Sequence, residues 1–431
     1  MVTMDSQNVY FSKLPNNQDW TALRKTIKVG NKTVNNRIVY QAMEGCDGTS
    51  NGSPDTLTLR RYQRYSAGGP GVIWIEATSV VPEGRANPRQ LYICNETLDD
   101  FKRLCDMMKE TGLRENGYEP FIAVQLTHSG RHSKPNGVPE PIIAYRNPYF
   151  EKKVAVTDDN IISDDELDRV SEAMVNGARL VELAGFDSAD IKACHGYLLC
   201  ELLSAYDRPG KYGGSFENRT RLLRESITEA VKSCSSDFVI SSRLNIYDGF
   251  PYPYGFGTKL GCGLDPDYSE AKQMVLDLAN AGVGLFNLTM GNPYVNPHVN
   301  RPSKICPYTP DEPAIAGVTR MLTGISEVAN VVKDRVPVVC SGLSYLADEA
   351  PNVAAGCVGE GWFDFAGFGR EAFAYPNIAK DICDGRDIDK KRLCVTCSKC
   401  TELMRNGGTT GCIVRDAEVY APLYKQYVLK K

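Results

Sequence analysis

Eight short apolar runs, spread along the whole chain, constrain its fold more than any other feature. They are NRIVYQAM (36–43), GVIWIEATSV (71–80), FIAVQLT (121–127), FDSADI (186–191), FVISSRL (238–244), GLFNLT (284–289), VPVVCSG (336–342) and WFDFAGFGR (362–370). Their length and their β-branched and aromatic content predict buried strands. Between them, Ser163-x-x-Glu166 reads as a capping box. Leu167, Val170, Met174 and Val181 then keep helical spacing, and further helices are expected from about Glu217, Ser269 and Val318. Strand–helix alternation of this kind predicts an α/β chain with a parallel sheet, and the (β/α)8 TIM barrel is the architecture that fits. AGGPG (67–71) precedes its strand and lacks the full G-x-G-x-x-G pattern, so it reads as a turn and not as a dinucleotide fingerprint. The expected layout is a barrel over 1–385, with an N-terminal hairpin at about 26–35 turning on Gly30-Asn31, and a short Cys-rich extension over 386–431.

Composition narrows the partners. At 431 residues, a net charge of -4 and a pI near 5.8, the chain has no basic field for nucleic acid or anionic lipid. It contains no apolar run long enough to span a bilayer, and its first residues lack a targeting pattern, so a cytoplasmic location is expected. Most of the 15 cysteines are scattered and read as reduced core thiols. A homo-oligomer stays open.

The densest proton chemistry lies in 185–219, GFDSADIKACHGYLLCELLSAYDRPGKYGGSFENR, where Lys192, His195 and Tyr197 follow a strand directly. In a barrel that edge is the active-site rim. One tyrosine among 22, or one His before Gly, would pass for a packing or loop residue. The run as a whole resembles the Old Yellow Enzyme family of flavin ene-reductases. In that family a His-x-x-His or His-x-x-Asn pair holds the substrate carbonyl and a Tyr donates a proton. His195 and Tyr197 match, and Lys192 stands where the first His usually is.

The resemblance continues along the chain and implies FMN as cofactor, with NADH or NADPH as hydride donor. Ala42 and Met43 match backbone positions against the flavin. Glu44 departs from the usual Thr or Cys near its C4 carbonyl. Ala77 falls beside the flavin edge, and Gln125 in QLTHSGR matches the residue that bonds the flavin amide edge. His128 and His132 read as loop and scaffold. Arg243 matches the arginine facing N1 and the C2 carbonyl, while Ser341, Gly342, Leu343, Gly369 and Arg370 match the late-barrel loops that hold the phosphate. Tyr294, in GNPYVNPHVNRP (291–302), is a candidate for stacking on the substrate.

The tail carries Cys394-x2-Cys397-x2-Cys400-x11-Cys412. It resembles the C-x2-C-x3-C-x11-C group that binds a [4Fe–4S] cluster in the 2,4-dienoyl-CoA and bile-acid reductase branch, with one spacer a residue short. In that branch FAD- and NAD(P)H-binding domains follow, whereas this sequence stops at Lys431. Cluster and plain-thiol readings both stay open.

The activity implied is hydride transfer from NAD(P)H through FMN to the activated C=C bond of an α,β-unsaturated carbonyl compound. The Lys-Ala-Cys-His-Gly-Tyr variant looks most like gut-bacterial reductases of flavones, flavonols or steroid enones. The alternatives are an iron–sulfur dehydrogenase or demethylase of the trimethylamine dehydrogenase type, and a flavin electron carrier with no substrate of its own.

Overall fold

The computed structural model describes residues 9–151, 155–306 and 308–430, so part of the N-terminal stretch read for targeting lies outside the described residues. Strands β1 (Ile27–Val29) and β2 (Lys32–Val34) pair antiparallel, with Ile27 opposite Val34. The turn holds Gly30 at φ +56°, and a Cβ there would come within 2.9 Å of the Val239 side chain at the start of a barrel strand. Glycine is therefore required twice, for its backbone and for its lack of bulk. The hairpin presses on the N-terminal end of the barrel, as expected.

The barrel strands are β3 (Ile38–Tyr40), β4 (Val72–Ser79), β5 (Phe121–Thr127), β6 (Ser188–Ile191), β7 (Val239–Asn245), β8 (Leu285–Thr289), β9 (Val338–Val339) and β10 (Ala366–Phe368). Each pairs parallel with the next from β3 to β9, and β10 pairs parallel with β3. The Val339–Phe365 bridge joins the remaining edges and closes the ring. Helices α1 (Thr56–Ala67), α2 (Leu98–Asn116), α3 (Asp164–Leu183), α4 (Arg221–Ser233), α5 (Ser269–Asn280), α6 (Ala314–Ala329), α7 (Ala350–Gly359) and α8 (Ile378–Asp384) follow the strands in turn. This is the (β/α)8 barrel that the alternation predicts.

Two apolar layers hold it together. Val39, Val72, Trp74, Phe121, Val239, Leu285 and Phe365 fill the barrel with Val29 and Val34 of the hairpin, and a larger layer lies between strands and helices. Each such side chain stabilises the fold by about 1.5–3 kcal/mol when fully buried. The Ser163–Glu166 capping box opens α3, and Leu167, Val170, Met174 and Val181 are buried. The helix expected from Glu217 breaks at Thr220, whose hydroxyl donates to the Phe216 carbonyl, and resumes as α4. Helix α6 starts earlier than Val318, because most of its faces are buried and its period is hidden.

The tail does not trail away. Residues 386–430, with helices α9 (Lys399–Arg405) and α10 (Ala417–Tyr424), run back across the ends of the strands. The Cys394 N–H donates to both oxygens of Glu371 at 3.1 Å, and Arg405 Nη2 donates to the Pro293 carbonyl at 2.7 Å. The Thr410 N–H donates to the Gly45 carbonyl at 2.7 Å. Asp416 accepts from Arg60 at 2.7 and 2.9 Å, and from Arg64.

Candidate active site

The C-terminal ends of the strands collect the side chains that the sequence singles out. After β6 the chain turns sharply through His195 (φ +67°) and Gly196 (φ +69°). A left-handed His costs about 1–2 kcal/mol. The cost is met by the Asn245 side chain at the end of β7, which accepts the His195 N–H at 3.2 Å. Asn245 is in turn held by Asp248 at 2.7 Å and donates to the Gly291 carbonyl at 3.0 Å. Neither Asn245 nor Asp248 was legible as a site residue.

The turn brings Lys192, His195 and Tyr197 together. Lys192 is 4% exposed, and its ammonium lies 3.5 Å from the centre of the Tyr197 ring. Burial lowers the Lys192 pKa, while Cys194 and Glu44 pull it back up. His195 is kept neutral by burial and by the neighbouring Arg243 and Lys192 cations, and its Nε2 is buried with no protein partner. Tyr197 is 3% exposed, and its hydroxyl meets that of Tyr294 at 2.9 Å. The Tyr294 ring stacks on His132 at 4.0 Å, and the Arg405 guanidinium lies 5.9 Å from its centre. Tyr294 therefore joins the site through its hydroxyl as well as its ring. His132 forms the wall behind it, while His128 stays scaffold, with Nδ1 accepting the Gly130 N–H at 3.0 Å. Burial holds His128 down to about 4, and burial with nearby cations holds His132 down to about 3.

A buried carboxylate supports the floor. Asp190 of β6 accepts from Trp74 Nε1 at 2.8 Å, Gln125 Nε2 at 2.7 Å and the Arg243 N–H at 2.6 Å. It orients both Gln125 and Arg243, and its signal in the sequence was only an acid inside a strand. Arg243 is 6% exposed, donates to the Ala42 carbonyl at 3.3 Å and leaves Nε unpartnered.

Across the mouth, β4 carries a register shift between Ile75 and Ala77, leaving Glu76 as the extra residue of a bulge. Glu76 accepts the Gly45 N–H at 2.6 Å and shares Arg61 with Asp47. Arg61 thus ties down the loop carrying Met43 and Glu44. Glu44 itself has a buried Oε1 without a partner, and its pKa is lifted to about 8, first by burial and then by Glu76. Ala77 packs close by, its carbonyl accepting from Gln90 at 3.0 Å.

After β9 and β10, Ser341-Gly342-Leu343 and Gly369-Arg370 lie side by side, linked by the Glu371 N–H to the Ser344 hydroxyl at 3.3 Å. Gly342 is left-handed at φ +97°. Arg370 is 6% exposed, donates from Nη2 to the Pro302 carbonyl at 2.7 Å, and leaves Nη1 buried and unpartnered. Arg301, which carries no sequence signal of its own, is beside it. Burial, then Arg370 and Arg405, lower its pKa to about 10. A cleft of about 770 Å³ lined by Val81, His128, Ile142 and Val170 opens on the flank, and none of the nominated catalytic or cofactor residues lines it.

The residues present fit FMN. Buried polar atoms normally find partners. Here Glu44 Oε1, Thr127 Oγ1, His195 Nε2, Arg243 Nε, Thr289 Oγ1 and Arg370 Nη1 are orphaned at the strand ends. A polar ring system with a phosphate would satisfy such a set, the phosphate falling to Arg370 and the late loops.

The four tail cysteines were open to a cluster or a plain-thiol reading. Among the described residues no three His, Cys, Asp or Glu side chains gather closely enough to hold a metal ion, so the structure lends no support to a cluster on Cys394, Cys397, Cys400 and Cys412. Thr396 (φ +49°) and Ser398 (φ +60°) bend the backbone on both sides of Cys397, and Cys400 is already inside α9.

A closed parallel barrel with a polar, cationic C-terminal mouth defines a (β/α)8 enzyme built around a phosphate-bearing cofactor. Residues 22–254, more than half of the chain, match the NADH:flavin oxidoreductase / NADH oxidase family, and the chain belongs to that family. An NADPH dehydrogenase of Geobacillus sp. (strain WCH70) is 36% identical over 205 residues, covering 46% of this chain and 56% of the relative. An NADH oxidase of Thermoanaerobacter brockii is 26% identical over 374 residues, covering 86% of this chain and 52% of the relative. The chain therefore spans about half the length of these curated relatives. A solved 2-naphthoyl-CoA reductase complex shares the fold at TM-score 0.74 and 22% identity, over 92% of this chain and 57% of that one. Among the described residues no helix is long and apolar enough to cross a membrane.

Proposed function

We propose that the chain is an FMN-dependent ene-reductase, using NADH or NADPH to saturate the activated C=C bond of an α,β-unsaturated carbonyl compound. Bound FMN supplies the two-electron step, taking hydride from the nicotinamide and giving it to the alkene β-carbon. The protein's own residues do the rest. His195, in the tautomer with its proton on Nε2, and the Lys192 ammonium receive the carbonyl oxygen. Their positive and polar edges stabilise the charge that develops there as hydride arrives. Tyr197 then gives its hydroxyl proton to the α-carbon. Arg243 would face the cofactor and stabilise the charge of its reduced ring, and Asp190 fixes the Arg243 backbone through its N–H.

The observation that carries this reading is the meeting of Lys192, His195 and Tyr197 at one strand end, with His195 Nε2 unpartnered and the Lys192 ammonium 3.5 Å from the Tyr197 ring. An electron carrier has no use for a buried proton donor beside a carbonyl-binding pair. The aromatic wall of Tyr197, Tyr294 and His132 supports a flat substrate, as a flavone, flavonol or steroid enone would be.

The test is Tyr197→Phe. FMN reduction by NAD(P)H should be nearly unchanged, while single-turnover alkene reduction slows by about 10²–10⁴-fold. Alkene reduction at the wild-type rate would remove Tyr197 from the mechanism.

A further inference from the structure

We propose that Tyr294 is the relay through which Tyr197 is reprotonated, passing its hydroxyl proton to Tyr197 as Tyr197 protonates the substrate. The inference rests on the reading of Tyr197 as the acid. In the first transfer the Tyr197 O–H breaks and a C–H bond forms at the α-carbon with the enolate electron pair. In the second the Tyr294 O–H breaks and the Tyr197 O–H is restored. Tyr294 then recovers a proton from water at the mouth, so each alkene consumes one solvent proton and no further reactant.

The geometry is specific. The two hydroxyls are 2.9 Å apart, either able to donate, and the rings are close to parallel at 22°. Tyr197 is buried, whereas Tyr294 is only half-buried on the loop after β8, nearer to solvent. A cation lies near each phenol ring: the Lys192 ammonium 3.5 Å from the centre of the Tyr197 ring, and the Arg405 guanidinium 5.9 Å from that of Tyr294. Such cations stabilise a transient phenolate beneath them. Burial raises both phenols above their usual range, so each holds its proton until the other or the substrate takes it. Glu44 and Cys46 also face both rings and oppose their ionisation. His132, neutral and stacked on Tyr294, holds the ring without supplying the proton.

The loop is built to hold this contact. The Asn292 carboxamide oxygen accepts the Tyr294 N–H at 2.8 Å, and Arg405 of the tail grips the preceding Pro293 carbonyl at 2.7 Å. Gly196 lets the loop close, since a Cβ there would come within 2.1 Å of Asn292 Nδ2.

The experiment is a proton inventory. The FMN-loaded protein, reduced anaerobically, is mixed with 2-cyclohexen-1-one or flavone in graded mixtures of light and heavy water, and flavin reoxidation is followed through one turnover. Wild type should give a bowed inventory, with two protons moving in the same step. Tyr294→Phe, which keeps the ring against His132, should give a straight one and slow the step by about 10- to 100-fold, part of the 10²–10⁴-fold contributed by a positioned acid. A straight wild-type inventory, a bowed one in Tyr294→Phe, or a Tyr294→Phe rate equal to wild type would each overturn the relay. Tyr197→Phe at the wild-type rate, or no reoxidation by either probe, would instead overturn the function on which it rests.

Discussion

Glu44 should make the protein's stability depend on pH in a way that one substitution removes. The carboxyl lies just beyond β3 with Oε1 buried and unpartnered. It is kept neutral up to about pH 8, first by burial, then by Glu76 and Asp47, against the pull of Lys192 and Arg61. In the unfolded chain it ionises near its usual value. A folded pKa above the unfolded one means that the native state holds a proton the unfolded state has released. The contribution is fully present below the unfolded value and is lost as pH rises toward about 8. A rise from 4.5 to about 8 corresponds to about 4–5 kcal/mol at most. Glu44→Gln keeps the shape and neutrality of the acid and removes its titration. Unfolded by urea in weakly buffered solution near about pH 6.5, wild type should release about one proton more than the variant. The stability advantage of Glu44→Gln should widen by about 3 kcal/mol between about pH 5.5 and pH 8. Equal proton release with parallel stability curves would mean that Glu44 is ionised in the native state, and the argument from burial would fail.

Other perturbations address separate parts of the site. Lys192→Met should lower kcat/KM for the alkene by about 10²-fold or more without changing FMN content, because it removes a cation from the developing oxyanion; unchanged kcat/KM would leave Lys192 without a role. Arg370→Met should weaken FMN binding by about 10-fold or more in equilibrium dialysis, since a charge-assisted bond to phosphate contributes about 1.5–3 kcal/mol. Unchanged affinity would place the phosphate elsewhere. Replacing Cys397 and Cys400 with Ser should leave FMN reduction by NAD(P)H intact in anaerobic stopped flow, with folding confirmed by thermal melting. Loss of reduction in a folded, FMN-loaded variant would show that electrons enter through these thiols.

Much of the fold could be read from the chain because its apolar runs carry strand periodicity locally, and Gly30-Asn31 and Ser163-x-x-Glu166 write their own turn and cap. The Lys192–Tyr197 cluster was equally legible, since its members follow a single strand. What could not be read depends on contacts between distant residues. Asp190 gathers Trp74, Gln125 and Arg243 from three other strands, and nothing near it in sequence reports that. Glu76 is aimed by a bulge, and bulges leave no periodic signal. Tyr294 meets Tyr197 across two loops, and Arg405 arrives from the tail, whose cysteine spacing says nothing of where the segment lies. The same spacing suggested a metal centre, for which the described residues give no support.

Ene reduction itself is tested by reducing the FMN-loaded protein without oxygen and mixing it with enones, flavones and steroid enones one at a time. The proposed function requires at least one of them to reoxidise the flavin mole for mole. The saturated product should carry one new hydrogen at the β-carbon from the reduced flavin and one at the α-carbon from solvent. Flavin that none of these alkenes reoxidises, but that a one-electron acceptor reoxidises rapidly, would contradict it and make the chain an electron carrier.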